Sequence, residues 1–148
     1  MSAGKRAAAL MVAAGFAVAL ATPASAAEVY ASDWYNGLGS NYAHSRTTAP
    51  GTPGAAVYAH IFWNGTRVGV DIETTDTKRD GRGAVAFLSY EVKIGREWLS
   101  ASETMAHASG GFASKGYKEA HSKYPTRYLS VMACTVKSGS FVKCSDPA

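Results

Sequence analysis

The chain has 148 residues, with 15 Lys and Arg against 11 Asp and Glu. That is enough for one domain with a real core and too short for two comfortable ones. So small an excess of positive charge makes no strong case for nucleic acid or an anionic membrane as partner, and neither is expected.

The opening, "MSAGKRAAALMVAAGFAVALATPASA", has a basic head at Lys5 and Arg6, an uncharged run from Ala7 to Ala21, and the small-residue triplet Ala24-Ser25-Ala26. These are the three regions of a secretory signal peptide. The run is shorter than the roughly 20 residues a membrane span needs. A lone Lys-Arg pair is not a twin arginine, so the general secretory route is expected, with cleavage after Ala26. Cleavage leaves 122 residues with 13 bases and 11 acids, a net charge of +2. No membrane span is expected after cleavage, and a monomer is expected. In an exported chain thiols oxidise, so Cys134 and Cys144 are expected to form one disulfide. Two cysteines without nearby histidines do not make a zinc site.

Turn signals divide the rest into short apolar runs, the pattern of an all-β protein: a small antiparallel β-sandwich or partly open barrel. Residues 27–54 read as an N-terminal segment with one strand around Val29 to Tyr35, followed by a Thr/Pro/Gly linker from Ser45 to Gly54. Residues 55–148 read as the sandwich core, making 27–148 one mature domain.

The run "VYAHIFWNGTRVGVDI" carries Asn64-Gly65, a strong signal for a type I′ hairpin turn. Folding there sets Trp63 against Thr66, Ile61 against Val68 and Val57 against Ile72. One face then reads Val57, Ala59, Ile61, Val68, Val70, Ile72, and the other Tyr58, His60, Phe62, Arg67, Gly69, Asp71. The first suits a core and the second a mixed polar-aromatic surface. Asn64-Gly65-Thr66 is also a formal glycosylation sequon, but the tight turn accounts for it.

Next comes "AVAFLSYEV", with Ala84, Ala86, Leu88, Tyr90 and Val92 as the better core face, and then a partner strand in "REWLSA". Residues from Ser102 to Pro125 lack a steady apolar period and read as a long surface connection with a short helical turn near Tyr117 to Ser122. In the last stretch, Ser138-Gly139-Ser140 reads as a three-residue hairpin loop that pairs Val136 with Val142 and Cys134 with Cys144. Directly opposed cysteines can be bridged, so the C-terminal hairpin is expected to be disulfide-linked.

Chemistry-bearing motifs are few. The loop "DTKRDGRG" from Asp76 fails as a calcium loop, since Lys78 would stand at a ligand position and Phe87 where the bidentate Glu belongs. It reads first as a salt-bridged solvated turn and second as an exposed recognition loop carrying Asp76, Asp80 and Arg82. His44, His60, His107 and His121 show no metal-binding spacing, so no metal or other cofactor is expected. There is no GxSxG, and no catalytic residue is singled out. The better hint is aromatic. Trp34 and Tyr35 sit in an Asn/Gly-rich segment, and Tyr58, His60, Phe62 and Arg67 share the hairpin's outer face. Aromatic rings bordered by polar groups suit sugar rings or peptides. A second sheet over that face would instead bury them, and core or partial burial is the ordinary outcome in a sandwich of this size.

The pattern D-T-x-x-D-G-x-x-A from Asp76 to Ala84, with a late strand running from Arg127 to a paired Cys144, resembles small secreted actinobacterial (Streptomyces-type) β-domain proteins of unknown function. The resemblance implies a compact exported β-domain and brings no catalytic residues with it. The long Ser102–Pro125 segment departs from that pattern. The function expected is noncatalytic binding outside the cell or at its envelope, with cell-wall glycan, polysaccharide or an extracellular protein as partner. A secreted protease inhibitor or antimicrobial factor is the alternative, and a hydrolase with residues converging only in space is the third.

Overall fold

The computed structural model describes residues 33–148. The expected signal peptide, and residues 29–32 of the expected first strand, lie outside the described residues. The described residues form ten strands: β1 (Trp34–Asn36), β2 (His44–Thr48), β3 (Gly51–Thr52), β4 (Ala55–Asn64), β5 (Arg67–Asp76), β6 (Gly83–Ile94), β7 (Glu97–Ala108), β8 (Lys115–Ser122), β9 (Thr126–Lys137) and β10 (Ser140–Cys144). One sheet runs β1-β8-β5-β4-β2 with β3 also on β4, and the other runs β10-β9-β6-β7. All pairings are antiparallel. The all-β fold expected from the alternating runs is therefore present, and the two sheets share one apolar core.

That core is built from alternation. Val57, Ala59, Ile61, Val68, Val70 and Ile72 point inward from the larger sheet. Ala84, Ala86, Leu88, Tyr90, Val92, Val131 and Ala133 meet them from the smaller one. β4, β5, β6 and β9 turn alternate side chains to the interior because successive Cβ atoms point to opposite faces.

The β4–β5 hairpin has the expected faces in a different register. Asn64 pairs with Arg67, Trp63 with Val68 and Ile61 with Val70. The turn is centred on Gly65-Thr66, with positive φ at Gly65 (58°) but not at Thr66. Positive φ at the first central residue alone fits a type II′ turn, whereas the expected type I′ turn needs it at both. The register moves by two residues, and a two-residue shift leaves every side chain on its face.

At the C-terminal hairpin the loop is Ser138-Gly139, both with positive φ (52° and 79°), as a type I′ turn requires. Phe141, not Val142, faces Val136. A register shift between Phe141 and Lys143 then restores the pairing of Cys144 with Cys134. The two sulfurs are bonded at 2.06 Å.

Two segments read as irregular are strands. Ser45 to Gly54 carries β2 and β3, both paired to β4. Ser102 to Pro125 holds the end of β7 and all of β8, with an extended strand where a helical turn was expected. β8 pairs with β5 along its length and carries β1 on its other edge. Among the described residues no helix is long and apolar enough to cross a membrane.

Candidate functional site

The outer face of the larger sheet gathers side chains from five strands. Register places Tyr35, His121, Gly69, Phe62 and Ser45 in one row. The next row holds Glu119, Asp71, His60 and Thr47, and a third holds Tyr117, Glu73 and Tyr58. The segment between β1 and β2 lies over the first row. Gly69 makes room for it, since a Cβ there would come within 2.5 Å of the Tyr42 Oη and 2.7 Å of the Leu38 carbonyl oxygen. The Tyr42 hydroxyl donates to that carbonyl, and burial raises its pKa against the lowering effect of Arg67. Rings continue the contact: Tyr42 lies 5.8 Å from Phe62, Phe62 lies 4.0 Å from His60, and Tyr35 lies 5.2 Å from His121. The His121 Nδ1 is 2.7 Å from the Gly37 carbonyl oxygen.

The third row is open. Tyr58 is 54% exposed and Tyr117 is 66% exposed. Glu73 sits between them on β5, in register with both. It pairs with the Lys115 Nζ at 2.6 Å, and that hydrogen bond pulls its carboxyl below the usual range. The two tyrosines are separated by two strand spacings, ~10 Å. Asp71 and Glu119 add carboxylates in the neighbouring row.

A second feature lies at one end of the sandwich, where the β5–β6 and β7–β8 connections and the β9–β10 turn enclose a groove of about 520 Å³. Asp76 ties two of these loops together. Its amide donates to the Ser114 carbonyl at 3.0 Å, and its own carbonyl accepts from the Ala113 amide at 2.8 Å. Its Oδ1 accepts from the Lys78 amide at 3.0 Å, and Asp80 Oδ1 accepts from the Arg82 amide at the same distance. The loop is thus a pair of side-chain-capped turns, as Asp at such positions favours. Asp76 is 1% exposed, whereas Asp80 and Arg82 are exposed.

His107, Ser109 and Ser138 also line this groove. Among the described residues no hydrogen bond joins His107 to a serine or to Asp76. Nor do three or more His, Cys, Asp or Glu side chains among the described residues converge where they could hold a metal ion.

The residues picked out from sequence divide between these places. Tyr35, Tyr58, His60, Phe62 and Arg67 fall on the sheet face or its covering loop. His60 and Phe62 are half-buried, in line with partial burial, and Tyr58 is exposed. Asp76, Asp80 and Arg82 belong to the groove end. Trp34 belongs to neither: it is 6% exposed, packed edge-on against Tyr90 with ring centroids 5.4 Å apart. Sequence reasoning missed Tyr117, Glu119 and His121, which alternate along β8 and are read off by period two once that segment is taken as a strand. It also missed Phe112 and Lys137 of the groove, for which no local pattern exists. No known protein family matches the chain, no curated protein matches it, and no solved structure matches it.

Proposed function

We propose that this protein is a secreted, noncatalytic binding module whose outer sheet face holds a glycan of the cell wall or another extracellular polysaccharide. One observation carries the reading: the open row Tyr58–Glu73–Tyr117, two exposed aromatic rings flanking a carboxylate on three hydrogen-bonded strands. Aromatic rings offer an apolar surface to the C–H face of a sugar ring. A carboxylate accepts from sugar hydroxyls, and placement of all three groups on hydrogen-bonded strands keeps the backbone ordering cost of binding low. The Cys134–Cys144 bond is consistent with an oxidising, extracellular setting. The signal peptide over residues 1–26 and the likeness to secreted actinobacterial proteins belong to the same reading.

The test is co-sedimentation with insoluble polysaccharides, among them cellulose, chitin and purified peptidoglycan. Retention on at least one is expected, and Tyr58→Ala and Tyr117→Ala are each expected to weaken it by on the order of 1 kcal/mol. Both changes are at exposed positions, so circular dichroism and thermal unfolding should be unchanged. Retention on none, or equal retention of the double variant, would overturn the reading. The inhibitor alternative has its own supporting feature, the disulfide-held β9–β10 hairpin with Phe141 and Val142 both close to half exposed. It predicts inhibition of an extracellular protease that is lost on Phe141→Ala and kept on Tyr58→Ala.

A further inference from the structure

The groove at the end of the sandwich is separate from the tyrosine row, and its chemistry is different. Lys78, Arg79, Arg82 and Lys137 line it, and Asp76 is the one acid among its lining residues. Neither of the two ion pairs among the described residues involves any of these cations. Arg79 is held by an aromatic ring, with its guanidinium carbon 4.8 Å from the centre of Phe112. A concave surface lined by several unpaired cations focuses a positive potential and draws anions.

A second, independent observation comes from Asp76. It lines the groove, is 1% exposed, and spends Oδ1 on the Lys78 amide. Its Oδ2 is buried and has no hydrogen-bond partner among the described residues. A buried carboxylate oxygen without a donor is costly to keep. A ligand that brings an O–H to it forms a charge-assisted bond away from water, where such bonds are strongest. The cations thus call for an anion and Asp76 calls for a neighbouring hydroxyl.

We propose that this groove is a binding site for a phosphate ester of a sugar or polyol, the phosphate held by Arg82, Lys137, Lys78 and Arg79 and an adjacent hydroxyl by Asp76. Arginine suits the planar, two-pronged contact with phosphate oxygens, and lysine adds point charge. Phe112 gives the carbon skeleton an apolar wall.

The test is a ¹H–¹⁵N titration of the disulfide-bonded protein at low ionic strength with three probes: glycerol 3-phosphate, inorganic phosphate and glycerol. Saturable shifts are expected at the amides of Gly81, Gly111 and Gly139, all of which line the groove. Glycerol 3-phosphate should bind about tenfold more tightly than inorganic phosphate, one charge-assisted hydrogen bond's difference, and glycerol alone should not saturate. Raising the salt should weaken binding of both anions. Arg82→Gln combined with Lys137→Gln should weaken both by at least about tenfold. Asp76→Asn keeps an oxygen for the Lys78 amide but leaves only a neutral amide for the ligand hydroxyl, so the bond loses its charge assistance and the preference for the ester over inorganic phosphate should shrink. Tyr58→Ala and Tyr117→Ala should leave all of this unchanged, so the groove and the glycan face succeed or fail separately. If Asp76→Asn does not fold, the preference of the unaltered protein and the Arg82/Lys137 pair still decide the matter. Absence of saturable shifts overturns the proposal, as does equal affinity for ester and phosphate, or a double variant that binds like the unaltered protein.

Discussion

Tyr90 has one hydroxyl proton and two carboxylates within reach. Its Oη lies 3.0 Å from Asp33 Oδ2, which accepts that proton, and 3.5 Å from Glu103 Oε2. Burial, with the two acids beside it, drives the phenol far above its ordinary pKa. The Glu103 carboxyl is also raised, first by desolvation and then by the charge of Asp33. A carboxyl whose pKa is higher in the folded than in the unfolded chain binds its proton more tightly when folded. Its contribution to stability is thus fully present below the unfolded value and is lost as the pH rises through the folded one. Urea midpoints measured from pH 4 to pH 7 should fall less for Glu103→Gln than for the unaltered protein, leaving the variant the more stable at pH 7. A variant that tracks the unaltered protein across that range would contradict the assignment. Tyr90→Phe is expected to cost about 1–3 kcal/mol, because it takes from the buried Asp33 carboxylate the one side-chain donor it has among the described residues. Two glycines make a complementary pair. Gly69→Ala collides with Tyr42 and Leu38 and should cost about 1–3 kcal/mol by displacing the loop on the sheet face. Gly65→Ala meets no atom within 4 Å and should cost only about 1 kcal/mol, from its positive φ. Denaturant unfolding separates the two.

Among the elements, those with strong apolar alternation were readable and the others were not. β4, β5, β6 and β9 each show a core face because they are central strands with one side on the other sheet. The β4–β5 register was not readable, because alternation has a period of two and cannot tell apart registers that differ by two. β8 was hidden for another reason. Its inward positions include Gly116 and Ala120, and a Cβ at Gly116 would run into the His107 backbone. Where β7 and β8 approach so closely the interior has no room for large side chains, so the apolar signal that marks a strand is absent. β2 lies at the sheet edge with four of its five residues exposed, and Ser, Arg and Thr there look like linker. At the C-terminus the turn and the cysteine spacing support one another, and the bulge at Val142 is what reconciles a two-residue loop with opposed cysteines. Replacing both cysteines with serine should lower stability by about 2–3 kcal/mol, the value expected for a crosslink closing so short a loop. A thermal melt of the double variant with and without reductant checks it, since only the unaltered protein should respond to the reductant.

Over the whole molecule, the candidate sites were legible only in part. The sheet-face aromatics were visible because one hairpin carries Tyr58, His60 and Phe62 on one side. Their partners Tyr117, Glu119 and His121 come from a strand some sixty residues later in the chain. The groove joins three loops distant in sequence, so only its Asp76 end was within reach of local reasoning. Its charges also have a consequence for handling. Asp71, Glu73 and Glu119 sit on the sheet face, while Lys78, Arg79, Arg82 and Lys137 cluster at the groove. The acids of the sheet face are partly offset there by Arg67 and Lys115, whereas the four groove cations stand together as a local positive patch. On a column of sulfonate beads the protein should approach groove first and elute later than a protein of equal total charge spread evenly, because chromatography reads the patch that touches the resin and not the sum.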